Sequence, residues 1–97
     1  MHARVTMLEI RPDKWEAMAE DRGLSEQLEM KQGFKGAYFL QDRETRKAIN
    51  ITLWETEEDM KATEASGWYQ EAVEVWKDTF ASPPVTEHYE VGSVQGV

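Results

Sequence analysis

The stretch FKGAYFLQDRETRKAINITLWE, residues 34–55, admits few folds. Two runs rich in β-branched and aromatic residues, 34–43 and 46–55, flank a short polar turn at Glu44-Thr45. That pattern predicts an antiparallel hairpin. Side chains alternate along a strand, so Ile49, Ile51 and Leu53 point one way and Asn50, Thr52 and Trp54 the other. The second strand therefore carries large side chains on both faces, and both faces need cover.

A helix is expected directly after the hairpin. Thr56 is a good N-cap, Asp59 falls at the third helical position as in a capping box, and three acids favour the positive end of the helix dipole. This helix runs to about Ser66-Gly67. A further one over 68–80 places Tyr69, Ala72, Val73, Trp76 and Phe80 at helical spacing, and Pro83-Pro84 stops it. VTEHYEV, 85–91, alternates and reads as a final strand, with Thr86, His88 and Glu90 on a face that reads as solvated. Before the hairpin, ARVTMLEI, 3–10, reads as a strand, and a helix is expected over 12–32, with Pro12 at its first position. Trp15, Met18 and Ala19 share one face of it, and Leu24 and Leu28 share another. A break is expected at Arg22-Gly23, and Gly33 suits the residue after the helix end.

The order β–α–β–β–α(α)–β is the ferredoxin-like split βαβ pattern of an α+β protein, a four-stranded antiparallel sheet with helices on one face. Pairing two such sheets would cover the second face and give a homodimeric α/β barrel. The 97 residues read as one domain, 1–97, with the tail 92–97 loose. A chain of this length builds one modest core and leaves much surface that a partner subunit would cover.

The net charge of −8, with no basic cluster to offset it, argues against nucleic acid and anionic membranes as partners. The absence of cysteine removes disulfides, thiolate catalysis and thiolate metal sites. His2 and His88 do not make a metal site by themselves. No apolar run approaches the roughly 20 residues of a membrane span, and MHARVTMLEIRPD has no apolar leader core, so a cytoplasmic protein is expected. There is no Gly-rich phosphate loop and no Ser-His-Asp order.

The segment QGFKGAYFLQDRETRKAINITLWETEEDM resembles the central stretch of antibiotic-biosynthesis-monooxygenase (ABM) domains: a Gly-Phe-x-Gly entry, a hairpin, and a strand ending in Trp-Glu-Thr before an acidic helix start. The element order and the closing HYEV strand extend the resemblance over nearly the whole chain. It implies a dimeric α/β barrel. In the cofactor-free oxygenases of that family, an Asn four residues before the strand-end Trp lines the substrate cavity with it; Asn50 and Trp54 have this spacing. The family's Tyr six residues after the Trp corresponds to Met60, and its Arg on the last helix to Gln70. The haem-degrading branch resembles the chain less, because Val73 stands where it has its iron-ligating His, Thr6 its first-strand Asn and Thr63 its helix Trp.

Two readings of Trp54 stand side by side: a seal for the strand-to-helix corner, or a pocket wall. Asn50, a polar amide between Ile49 and Ile51, either finds backbone or Thr52 as a partner or donates to a ligand oxygen. The aromatic last helix is core, or it walls a pocket for a flat apolar ligand together with the sheet. Thr6, Tyr38, Thr52, Met60, Tyr69, Gln70, Val73 and Trp76 are the candidate lining residues. His88 is a less favoured candidate for a general base. The function expected is oxygenation of a phenolic or polycyclic substrate without metal or organic cofactor, with Asn50 and Trp54 as anchors. The alternative is a non-catalytic ligand-binding or stress-associated dimer.

Overall fold

The computed structural model describes residues 1–20 and 27–96. Four strands, β1 (His2–Glu9), β2 (Phe34–Asp42), β3 (Lys47–Trp54) and β4 (Val85–Glu90), form one sheet in the order β2-β3-β1-β4. Every neighbouring pair is antiparallel. With α1 (Trp15–Glu20), α2 (Glu57–Ala65) and α3 (Trp68–Val75), the chain is the expected ferredoxin-like α+β fold.

The register sorts the sheet into two faces. Thr6 lies opposite Asn50 on one side and Thr86 on the other, and Phe39 lies opposite Asn50. These residues, with Arg4, Leu8, Ala37 and Thr52, face the helices. Val5, Met7, Ile49, Ile51 and Leu53 face the other side, which carries no helix among the described residues. There Tyr38, Leu40, Val85 and Tyr89 are 45%, 47%, 53% and 50% exposed, and Glu87, opposite Val5, interrupts this apolar surface on β4. The assignment of Thr86, His88 and Glu90 to a solvated face holds for His88 and Glu90, which are exposed, and fails for Thr86, which is half-buried. The Thr86 hydroxyl bonds Tyr69 and the His88 ring bonds Glu64, both on helices, whereas Val85 and Tyr89 continue the open face. On an edge strand the polar side chains found helix partners.

The hairpin turn is longer than expected. Pairing ends at Asp42↔Lys47, and a four-residue loop closes through Arg46 N–H to the Asp42 carbonyl at 2.9 Å. Asp42 Oδ1 also accepts from the backbone of Glu44 and Thr45, and Arg46 takes a left-handed φ of 62° to re-enter the strand. At the other end of β3 the expected cap is present: Thr56 Oγ1 accepts from Asp59 N–H at 3.0 Å. The Asp59 side chain packs against Gly33, whose φ of 79° and lack of a Cβ permit the approach.

The helical segment expected over 12–32 begins as a 3₁₀ turn, Pro12–Lys14, before α1, and residues 27–29 are again helical. The break expected at Arg22-Gly23, and Leu24, lie outside the described residues. The helix expected over 68–80 ends at Val75. A 3₁₀ turn, Lys77–Thr79, follows and Phe80 bridges to Ile10, because Arg11 N–H and Ala81 N–H bond Thr79 and Glu9 carbonyls at the end of β1. Residues 91–96 have no regular structure.

The interior is divided. Ile10, Trp15, Met18 and Ala48 form one buried cluster, with Leu8, Trp76 and Phe80 against it. Leu28, Trp54 and Met60 form a second, with Phe34 and Trp68. Phe34 meets Trp54 edge-on, centroids 5.6 Å apart at 74°, a contact of about 0.5–1.5 kcal/mol beyond area burial. Residues from both clusters border the space between them.

Candidate functional site

That space is a cavity of about 260 Å³ between the helix-facing side of the sheet and the helices. Its sheet wall is Arg4 and Thr6 of β1, Asn50 and Thr52 of β3, and Ala37 and Phe39 of β2. Opposite stand Tyr69 and Val73 of α3, Trp76 just past its end, Met18 of α1, and Leu28. The period-2 alternation of the strands and the helical spacing of α3 aim these residues at one another.

Six of the candidates read from the sequence come together here: Asn50, Thr6, Thr52, Tyr69, Val73 and Trp76. The other four lie elsewhere. Trp54 and Met60 are fully enclosed in the second cluster. Gln70 is exposed on α3, and Tyr38 lies on the opposite face of the sheet, paired with Ile51. Trp54 nonetheless touches the site at one remove, since its indole Nε1–H donates to Thr52 Oγ1 at 3.0 Å. With its lone pair so occupied, the Thr52 hydroxyl can turn its proton outward.

Asn50 is half-buried, and among the described residues no hydrogen bond engages its side chain. Tyr69 is the opposite case. Its hydroxyl sits 2.7 Å from Thr6 Oγ1 and 2.7 Å from Thr86 Oγ1, which fixes the ring across the sheet face.

Arg4 is the residue the sequence reading assigned no role. It is 2% exposed. Its Nη1 donates to Thr63 Oγ1 at 2.8 Å and to the Met60 carbonyl at 3.4 Å. Its guanidinium carbon lies 4.0 Å from the Tyr69 ring centroid and 5.5 Å from that of Trp54, so the planar cation is stacked between aromatics. Glu64 stands 3.6 Å away and is shared with His88, whose Nε2 is 3.1 Å from both carboxylate oxygens. Burial lowers the Arg4 pKa from its ordinary value, and Tyr69 and Glu64 only oppose that shift. The signal was available: Arg4 shares strand parity with Thr6 and Leu8, on the face where Asn50 points.

Among the described residues Arg4 is the only charged side chain in the lining, and no carboxylate or imidazole joins it. Among the described residues no three His, Asp or Glu cluster to hold a metal ion, and no helix is long and apolar enough to cross a membrane.

No protein-family model matches the chain, and no curated protein does. Solved structures do. A Nitrosomonas europaea protein assigned as an antibiotic biosynthesis monooxygenase superposes with a TM-score of 0.80 at 21% identity, over 96% of this chain and 100% of its own. A monooxygenase from the gene ActVA-Orf6 of Streptomyces coelicolor, in complex with nanaomycin D, gives 0.78 at 17%, over 99% and 92%. SnoaB, a cofactor-independent oxygenase from Streptomyces nogalater, gives 0.76 at 10%, over 97% and 95%. At these identities the likeness shows the fold: this chain has the fold of antibiotic biosynthesis monooxygenases along nearly all of its length.

Proposed function

We propose that the chain is a cofactor-independent oxygenase of small phenolic ring systems. The observation that carries this reading is the convergence of Arg4, Asn50 and Thr52 on an otherwise apolar cavity. The fold shared with structures described as monooxygenases supports it. An apolar cavity of about 150 Å³ takes benzene, so about 260 Å³ has room for one ring or two fused rings.

The chemistry asked of the protein is modest. An ionised phenol is electron-rich enough to react with O2 directly. In 1-naphthol the ring carbon para to the oxygen becomes a methylene in the keto form. Its two hydrogens leave with one oxygen atom as water, the second oxygen atom becomes the new carbonyl, and the product is the 1,4-quinone. The cavity excludes water and holds the ring, while Asn50 donates to the oxygen that gathers negative charge. Trp54 acts behind it, positioning Thr52. We assign the open sheet face to a second copy of the chain, because its apolar side chains lack cover in one subunit.

The test is O2 uptake with 1-naphthol at a pH high enough to ionise it in solution, above its spontaneous oxidation. Wild type is expected to turn it over, and Asn50→Ala to lose about 10²–10³-fold, the cost of removing one oxyanion donor. Equal uptake in both removes Asn50 from the mechanism. A second reading, a ligand-binding protein without turnover, is favoured by Met60 and Gln70, which supply no hydroxyl or cation to the cavity. It predicts ligand-dependent thermal stabilisation with no O2 uptake.

A further inference from the structure

We infer that this cavity selects ligands that are already anionic when they enter, and that Arg4 is the residue that selects them. The inference rests on the reading of the cavity as the ligand site.

Charge balance is the first observation. The chain carries −8, a field that repels anions. Yet among the described residues the cavity lining holds one cation and no acid. A buried guanidinium in so acidic a protein could have been neutralised locally by a carboxylate in close bidentate contact. The carboxylate present, Glu64, is 3.6 Å from Nη1, is shared with His88, and stays out of the lining.

Donor count is the second. A guanidinium has five N–H donors in a fixed fork. The hydrogen bonds to Thr63 and Met60 both use Nη1. Among the described residues no hydrogen bond uses Nε or Nη2. Among the described residues the buried side-chain atoms left without a partner are Nδ1 of His2 and Nε1 of Trp15, so neither Nε nor Nη2 of Arg4 is completely sealed. What exposure Arg4 keeps is slight, 2%, and the space that it borders is the cavity. Burial lowers the Arg4 pKa, because desolvation outweighs what Tyr69 and Glu64 return.

Proton traffic is the third. Among the described residues the lining has no carboxylate or imidazole, and the Tyr69 hydroxyl is held by Thr6 and Thr86, so none of these residues is a base placed to ionise a neutral ligand. A ligand that must be an anion has to arrive as one. Acidic phenols, enols and aromatic carboxylates of one or two rings are the chemical class. The stacked aromatics hold Arg4 in place, so the charge is preorganised rather than recruited.

The experiment is isothermal titration calorimetry with two isosteres, 2-naphthoate and 2-naphthylmethanol. Wild type is expected to bind the carboxylate at least tenfold more tightly. In Arg4→Met, which keeps an apolar stem, the preference should vanish while the alcohol still binds. If Arg4→Met does not fold because Glu64 is left unpaired, Arg4→Met/Glu64→Gln removes both charges and should show the same loss. Equal affinity of wild type for both isosteres, no binding of either, or a preference that survives either variant overturns the inference. A carboxylate preference lost in Arg4→Met, with no O2 uptake from 1-naphthol, overturns the oxygenase reading and leaves this one standing.

Discussion

Trp54 meets the cavity only through Thr52: the indole N–H donates to the threonine hydroxyl at 3.0 Å while the indole itself is completely enclosed. The two readings of this tryptophan are thereby joined. It packs as core, and it sets the orientation of a hydroxyl that faces the site.

Substitutions at Trp54 should separate the two effects. Trp54→Phe retains most of the buried ring and loses the donor, at a cost of about 1 kcal/mol for the hydrogen bond. Trp54→Ala should cost about 3–5 kcal/mol, the range for large aromatic truncations in a core. Urea unfolding measures both. Trp54→Phe should also shift ligand affinity, through the released Thr52 hydroxyl, although no cavity-lining side chain has been changed.

Gly33 should be the least replaceable of the glycines with positive φ. Its φ is 79°, and an added Cβ would collide with the Asp59 side chain. Gly67 has a φ of 85° with nothing within 4 Å. Gly67→Ala should therefore pay only the backbone cost of about 1–2 kcal/mol, and Gly33→Ala should lose clearly more. Asp59→Ala should recover part of the Gly33→Ala loss. The difference between the two melting temperatures isolates the collision.

Filling the cavity should block the ligand without harming the fold. Ala72 lines it from α3. Ala72→Leu adds apolar atoms to a void rather than to a packed cluster, so the thermal midpoint should hold or rise. Binding of 2-naphthoate should weaken at least tenfold, as read by calorimetry.

The open sheet face should respond to charge. Ile51 lies at its centre, paired with Val5 on one side and Tyr38 on the other. Wild type is expected to be a dimer at micromolar concentration by light scattering, and Ile51→Glu a folded monomer. A wild-type monomer would remove the proposed pairing.

Much of the fold was legible because it rests on local signals. The alternation of 46–55 placed Asn50 and Thr52 opposite Ile49 and Ile51, and Thr56 marked the start of α2; both appear in the structure. What was not legible depended on partners distant in sequence. Thr86 looks like part of a wet strand face until Tyr69 supplies its hydrogen bond. Phe80 looks helical until Ile10 pulls it into a bridge. Arg4 has a charged side chain on a short strand, and charged residues read as surface. Its burial depends on two aromatic rings, 50 and 65 residues further along the chain, closing over it. The spacing of Asn50 and Trp54 was visible, but not which of them would border the cavity, because that turns on how deeply a side chain is covered.

The strand order has a consequence for synthesis. β1 is made first of the four strands yet lies inside the sheet, with β3 on one edge and β4 on the other. Its second edge stays unpaired until residues 85–90 have left the ribosome. Until then the nascent chain presents a bare β edge flanked by Val5 and Met7, the kind of template that recruits other chains. The last strand to be made is the one that closes it.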